Sequence, residues 1–185
     1  SLIELNEGDY HECVLTGSIG SGKSSIALFT QAYQLYVLSC LKNPQKTFGL
    51  DPSSEIVIVF QSLNAKLAKS VDYDRFRAMI NASPYFRAHF MFDRRMESEM
   101  RFPNRIIVKP VVGADTGAIG LNVIGGILDE VNFMEVTDRS KKSIDGGTFD
   151  QAWALYNSIS RRRKSRFLSK SKLPGMLCLV SSKRY

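Results

Sequence analysis

Near the start of the chain, residues 17–24 match the pattern Gly-x-x-x-x-Gly-Lys-Ser/Thr, which constrains the fold more than any other feature of the sequence. The apolar segment 12–16 before it is typical of a buried strand, and residues 23–41 carry apolar positions at helical spacing. Between a strand and a helix, such glycines let successive backbone N–H groups point inward, and the helix N-terminus adds positive potential. The sequence therefore predicts a loop that binds a polyphosphate.

This loop has polar side chains suited to a nucleotide and a metal ion. We expect Lys23 to reach the terminal phosphates and the Ser24 hydroxyl to coordinate Mg²⁺, so ATP and Mg²⁺ are the predicted ligands. The alternative is a tight glycine turn that binds nothing. The predicted nucleotide contacts are Gly17, Ser18, Ile19, Gly20, Ser21, Gly22, Lys23, Ser24 and Ser25.

Two adjacent acidic residues, Asp129 and Glu130, end the apolar segment 122–128. An apolar strand that ends in such a pair is the Walker B pattern, which complements a phosphate-binding loop. We expect Asp129 to hold Mg²⁺ through its water shell and Glu130 to orient and deprotonate the attacking water. A glutamate at this position favours hydrolysis over phosphoryl transfer to a second substrate. The alternative is a pair of solvated acids that cap a strand.

Ser181 and Ser182 follow the last apolar segment, 176–180. In an ATPase sheet this position faces the γ-phosphate, and a hydroxyl there can sense whether that phosphate is present. We therefore predict a coupling role for the two serines. Taken alone, two serines after a strand are more often a turn.

Short apolar strands alternate with longer helical segments along the 185 residues, a length suited to one compact domain at 1–185. This alternation predicts an α/β fold with a mainly parallel sheet flanked by helices. Together with the phosphate-binding loop and the Walker B pair, it indicates an ASCE-type P-loop NTPase. We take the aromatic residues between 86 and 92 as core. The predicted strands are 12–16, 55–60, 122–128 and 176–180, with a hairpin at 99–102 and 105–112; the predicted helices are 23–41, 63–70, 73–82 and 149–168, with a loop at 137–147.

Positive charge is concentrated in the last fifth of the chain. The chain has a formal net charge of +7, and residues 151–185 contain nine basic residues and no acidic one. The basic cluster on the predicted helix could contact nucleic-acid phosphates or ATP on a neighbouring subunit. The alternative is a solvated helix face. Its members are Arg161, Arg162, Arg163, Lys164 and Arg166.

Composition excludes several other classes of protein. No apolar segment approaches the ~18 residues of a membrane span, and the N-terminus lacks a secretory signal pattern. Cys13, Cys40 and Cys178 are widely separated, which predicts small core residues in a reducing compartment rather than disulfides or a zinc site. Because Tyr185 directly follows an apolar strand-like segment, we expect the chain to be part of a longer protein.

Four segments in this order, TGSIGSGKSS, GGILDEVNFME, RRRKSRF and CLVSSKRY, resemble the ATPase domain of the large terminase subunit of tailed bacteriophages. The resemblance implies an ATP-driven motor that packages double-stranded DNA as a homo-oligomeric ring in the host cytoplasm. It also implies a portal protein and a small terminase subunit as partners. A nuclease domain follows the ATPase domain in that family, and no nuclease activity is expected of residues 1–185.

The chain departs from the terminase pattern at the phosphate-binding loop. Many members of that family have an arginine inside the loop, whereas residues 18–21 here contain none. A charge-stabilising arginine must therefore come from elsewhere, and a neighbouring subunit could supply it. The candidates are Arg101, Arg105, Arg139 and the cluster at 161–166. Other readings are a different P-loop motor or helicase-like ATPase, a nucleotide-binding assembly switch and a small-molecule kinase.

Overall fold

The computed structural model of the 185-residue chain describes residues 2–62, 72–111, 120–134, 136–137, 148–169 and 172–182. The predicted helix at 63–70 and nearly all of the predicted loop at 137–147 lie outside these residues. None of the helices that the structure describes is long and apolar enough to cross a membrane.

Six helices of four or more residues and eight strands are assigned within the described ranges. The helices are α1 (Leu2–Glu7), α2 (Lys23–Ser39), α3 (Pro44–Thr47), α4 (Asp74–Ala82), α5 (Pro84–His89) and α6 (Gln151–Phe167). The strands are β1 (Glu12–Gly17), β2 (Ile56–Gln61), β3 (Met100–Phe102), β4 (Ile106–Pro110), β5 (Val123–Leu128), β6 (Val136–Thr137), β7 (Phe149–Asp150) and β8 (Leu177–Ser182).

Two short 3-10 turns, Pro103–Arg105 and Val131–Phe133, complete the described elements.

Six strands form one sheet in the order β1-β8-β5-β2-β4-β3. All neighbouring pairs are parallel except β3 and β4, which form the antiparallel hairpin that the sequence predicts around Pro103. The predicted fold class, a P-loop α/β fold with a mainly parallel sheet, is therefore confirmed. Because parallel neighbours end at the same edge, the carboxyl ends of β1, β8, β5 and β2 lie together.

Both faces of the sheet are covered, so β2 is buried along its whole length and is apolar up to Phe60. Ile58 and Phe60 point to one face, where they join a core with Leu35 of α2 and Phe76 of α4. The alternate residues of β2 point to the other face and pack with Ile159 of α6. The predicted core aromatic residues Phe86, Phe90 and Phe92 are buried in the first core, which confirms that prediction.

A pair of glycines in β5 allows the central strands to pack closely. A Cβ atom at Gly125 would collide with the backbone of Met176, and one at Gly126 would collide with the Val59 carbonyl oxygen. The buried Gln31 side chain of α2 donates hydrogen bonds to the carbonyl oxygens of Gly126 (3.1 Å) and Met176 (3.0 Å). The helix that follows the phosphate-binding loop is thereby fixed directly to β5 and the start of β8.

Some local predictions need correction. Helix α6 begins at Gln151 rather than at 149, because the Asp150 carboxylate caps it by accepting a hydrogen bond from the Trp153 N–H at 3.0 Å. Cys178 is buried and Cys13 is partly buried, but Cys40 is exposed, so the prediction of three core cysteines is wrong for Cys40. Cys40 lies at the C-terminal end of α2, where its side chain turns to solvent.

Candidate nucleotide-binding site

The predicted loop, the two acids and Ser182 line one cleft at the carboxyl edge of the sheet, whereas the buried Ser181 does not line it. The cleft has a volume of about 650 Å³. Each of β1, β5, β2 and β8 contributes its end or the residues that follow it. The lining residues are Ile19, Gly20, Gly22, Lys23, Ser24, Ser25, Ser62, Arg75, Asp129, Glu130, Phe133, Val180 and Ser182.

Glycine conformations shape the loop that enters this cleft. Gly20 and Gly22 both have φ of 81°, a left-handed conformation that L side chains rarely adopt. Gly22 is the N-cap of α2, and no side chain caps this helix by a hydrogen bond. The first-turn N–H groups of α2 therefore offer donors and positive potential to an anion in the cleft.

Lys23 is held at the centre of the loop. Its ammonium group donates hydrogen bonds to the carbonyl oxygens of Gly17 (3.2 Å) and Ser18 (2.6 Å) and to Ser21 Oγ (3.3 Å). Only 9% of the residue is exposed. None of these contacts is with a carboxylate. The positive charge of Lys23 is therefore not neutralised by them and can attract a phosphate.

The two predicted acids lie opposite the loop. Asp129 is 5% exposed, and its N–H donates to the Gln61 carbonyl oxygen at 2.8 Å, which joins the ends of β5 and β2. Glu130 has φ of 57°, a strained conformation for a non-glycine residue, and the bend is accompanied by a 2.9 Å hydrogen bond from its N–H to Asp129 Oδ1. Burial and the charge of Asp129 raise the pKa of Glu130, and Lys23 opposes this shift.

A third acid, Asp72, lies against Asp129, and the sequence analysis did not identify it. Asp72 is only 2% exposed. Burial and the neighbouring Asp129 raise the pKa of Asp72 to about 8, so at neutral pH it is protonated and can donate to Asp129. Asp72 belongs to no recognisable sequence motif. It meets Asp129 only because the folded sheet brings the two residues together.

Ser181 and Ser182 lie inside β8, which extends through Ser182, rather than in a turn after it. The Asn132 N–H donates to Ser181 Oγ at 3.0 Å, and the Asn132 side-chain amide donates to the Ser182 carbonyl oxygen at 3.3 Å. Asn132 follows Glu130 by two residues. The segment after the acids is therefore hydrogen-bonded directly to the predicted coupling strand.

Residues 4–185 match the family described as "Uncharacterized protein MJ0330, N-terminal P-loop domain". The chain belongs to this family of P-loop domains. No curated protein sequence matches it. Its fold is similar to the crystal structure of the HK97 bacteriophage large terminase, with a TM-score of 0.52 and 15% sequence identity. The match covers 97% of this chain and 31% of that chain, so the likeness in fold is to one part of a longer protein.

The fold of this P-loop domain is thus terminase-like, as the resemblance predicted, but the arginine candidates that the structure describes lie away from its cleft. Arg101 forms ion pairs with Glu99 and, at 3.2 Å, with Glu55. Arg105 precedes β4, at the amino edge of the sheet, whereas the cleft lies at the carboxyl edge. Arg139 is outside the described residues. Arg101 and Arg105 therefore do not reach the cleft of their own chain.

The prediction that Arg163 contacts DNA or a neighbouring subunit is wrong. Arg163 is 0% exposed, and it donates to the carbonyl oxygens of Ile124 (3.0 Å), His11 (2.9 Å) and Gly175 (3.1 Å). Burial lowers the pKa of Arg163 to about 10, which the nearby Glu12 carboxylate opposes. Arg163 satisfies backbone acceptors at the amino ends of β1, β5 and β8.

The other members of the basic cluster remain on the surface. Arg161, Lys164 and Arg166 are exposed, and Arg162 is partly exposed. Because Arg163, in the same part of α6, contacts the amino ends of the strands, the cluster lies at the opposite end of the sheet from the cleft. A six-residue strand such as β1 separates the two ends by about 20 Å.

Proposed function

We propose that this P-loop domain hydrolyses ATP with Mg²⁺ and that it serves a terminase-type motor that translocates double-stranded DNA. The observation that carries the ATPase proposal is the convergence of Lys23, Ser24, Asp129 and Glu130 on one cleft. These residues come from two segments about a hundred positions apart in the sequence, and the parallel sheet brings them together.

The oxygen atoms at the cleft fit Mg²⁺. This ion prefers oxygen ligands and is usually held by one or two protein carboxylates or hydroxyls together with substrate phosphates. Ser24 and Asp129, which both line the cleft, would hold it here. When bound, Mg²⁺ neutralises developing charge on the phosphates.

Glu130 is the residue that we assign to water activation. One of its carboxylate oxygens, Oε2, is buried without a hydrogen-bond partner in the structure, and the residue lines the cleft. Its raised pKa makes the carboxylate a stronger base than a solvated glutamate. Lys23 would meanwhile neutralise charge on the terminal phosphates.

DNA translocation is proposed from the terminase-like fold and from the exposed basic cluster of α6. DNA at this cluster would lie at the end of the sheet opposite the ATP, so the two ligands would not compete for space. By the same resemblance, a homo-oligomeric ring, a portal protein and a small terminase subunit are the proposed partners, in the cytoplasm of an infected bacterium. A nucleotide-binding assembly switch is the alternative, since it needs only the cleft.

Steady-state ATP hydrolysis by the purified domain, with and without duplex DNA, tests the proposal. We expect Mg²⁺-dependent turnover that Lys23→Ala abolishes without a change in thermal unfolding, because Lys23 bonds to the loop and not to the core. Stimulation by DNA is expected of a motor, whereas tight ATP binding without DNA-dependent turnover would favour the switch. Wild-type turnover in Lys23→Ala would contradict the assignment of the loop.

A further inference from the structure

Two cationic side chains line the cleft among the residues that the structure describes, Lys23 and Arg75. The sequence offered no reason to place Arg75 here, because it lies some fifty residues after the phosphate-binding loop. Lys23 is already engaged with carbonyl oxygens of the loop. Arg75 is therefore the second source of positive charge for a phosphate in this cleft.

Arg75 is the second residue of α4, and the packing of this helix fixes its position. Its neighbour Phe76 and the later Ile80 are buried in the core, so the helix is held on the sheet while Arg75 stays exposed on the cleft side. Its Nη2 atom lies 3.3 Å from Ser25 Oγ in the first turn of α2. Ser25 directly follows Ser24, the proposed ligand of Mg²⁺.

Most N–H donors of the Arg75 guanidinium group have no partner among the described residues. Among the described residues, its contact with Ser25 is the one hydrogen bond that it makes, and no ion pair joins it to any of them. Arg163 and Arg101 differ in this respect, because several backbone carbonyl oxygens bind the first and two carboxylates bind the second. A planar group with five donors matches two phosphate oxygens at once.

The position of Arg75 also indicates which phosphate it would meet. Asp72, one turn before Arg75, contacts Asp129, so this part of the chain adjoins the two acids that we assign to Mg²⁺ binding and water activation. A side chain that enters the cleft from this side approaches the terminal phosphate rather than the base or the sugar.

We infer that Arg75 is a catalytic residue that binds the terminal phosphate of ATP in the cleft of its own chain. The inference rests on the proposed ATPase function, and it supplies in cis the arginine that the loop lacks. In this role Arg75 stabilises the negative charge that spreads over the γ-phosphate oxygens as the bond to the leaving ADP breaks.

Three variants test the contact: Arg75→Ala, Arg75→Lys and the control Arg87→Ala, which removes an exposed arginine of α5. We expect Arg75→Ala to lower kcat by roughly 10³-fold or more, the range known for arginines that stabilise this transition state. Arg75→Lys should recover little, because a lysine cannot bind two oxygens in a plane. Arg87→Ala should match the wild type in turnover, and turnover of Arg75→Ala within threefold of wild type would overturn the inference.

Binding measurements separate this inference from the proposed function. Arg75→Ala should bind ATP more weakly than the wild type does while its affinity for ADP changes less than twofold, because ADP lacks the phosphate concerned. Equal affinities of Arg75→Ala and wild type for ATP, together with equal turnover, would overturn the inference and leave the ATPase proposal standing. A wild-type domain that neither binds nor hydrolyses ATP would overturn both.

Mixing two inactive variants tests whether Arg75 acts in cis. Lys23→Ala retains Arg75 but has a damaged loop, and Arg75→Ala retains the loop. If Arg75 served a neighbouring subunit, the mixture would regain hydrolysis, because the first variant would supply its arginine to the second. We expect no recovery at any mixing ratio. Recovery would overturn the assignment in cis.

Discussion

Asp129 and Glu130 are adjacent in the sequence, yet the structure gives their carboxylates different surroundings. Asp129 is 5% exposed and bound to the backbone of β2 and of Glu130, whereas Glu130 is bent into the cleft with one oxygen unpartnered. In a regular strand, the side chains of two adjacent residues point to opposite faces of the sheet. The left-handed φ of Glu130 turns the backbone here and breaks this alternation. The two acids can therefore serve different atoms of the same ligand.

Replacement of each acid by its amide should separate these roles. Glu130→Gln keeps the shape of the side chain but loses the base, so ATP should bind and persist while turnover falls by about 10² to 10⁴-fold. Asp129→Asn should instead weaken Mg²⁺-dependent ATP binding. Equilibrium binding with a fluorescent ATP analogue, measured with Mg²⁺ and with EDTA, together with hydrolysis assays checks both variants. Identical behaviour of the two in binding and in turnover would show that the division of labour is wrong.

At the scale of the secondary-structure elements, Arg163 joins strands that are distant in the sequence. Its guanidinium group binds carbonyl oxygens before β1, in β5 and before β8, and Nη1 lies 3.6 Å from Glu12 Oε1. These three strands lead to the loop, the acids and the serines of the cleft. Arg163 thus fixes, from the amino edge, the strands whose carboxyl ends form the site.

Loss of Arg163 should destabilise the fold. Arg163→Met leaves several buried carbonyl oxygens without donors, and we expect a loss of about 3 kcal/mol in the free energy of unfolding. For a domain of this size the melting temperature should fall by roughly 6 to 12 °C. Arg161→Met, two positions away and exposed, is the matched control and should change stability by less than about 0.5 kcal/mol. Equal melting temperatures for the two variants would refute the structural role of Arg163.

The sequence predicted those parts of the cleft that are contiguous in the chain. The loop at 17–24 and the pair Asp129–Glu130 each carry their chemistry within a few residues, so a pattern is enough to find them. Asp72 reaches Asp129, and Arg75 reaches the cleft, only because β2 ends beside β5, a pairing that no local pattern encodes. Arg163 was misassigned for a related reason. The sequence alone does not show which residue of a basic run faces the sheet, because that depends on how the helix packs.

At the scale of the whole molecule, the proposed ATP and DNA sites lie at opposite ends of the sheet. A signal between them would have to pass through the strands or the helices that pack on them. Asn132 links the segment after the acids to β8, and Gln31 links α2 to β5 and β8. Both contacts involve β8, whose amino end adjoins Arg163 and the basic end of α6.

The basic cluster gives a prediction about how the domain binds duplex DNA. Exposed arginines that neutralise phosphates release counterions, so binding should be weak, independent of sequence and salt-dependent, with a slope near −0.9 per phosphate in log K against log salt. Replacement of Arg161 and Arg166 by Gln should reduce the magnitude of this slope by up to about two units, while ATP affinity stays unchanged.

The matched control is the pair Arg87→Gln and Arg94→Gln, which removes the same charge near α5 on the opposite face of the sheet and should leave the slope as it is. If hydrolysis collapsed while the slope was unchanged, the cluster would act on a neighbouring subunit's ATP. If neither changed, the cluster would be a solvated face of α6, and the DNA path would lie elsewhere on the molecule.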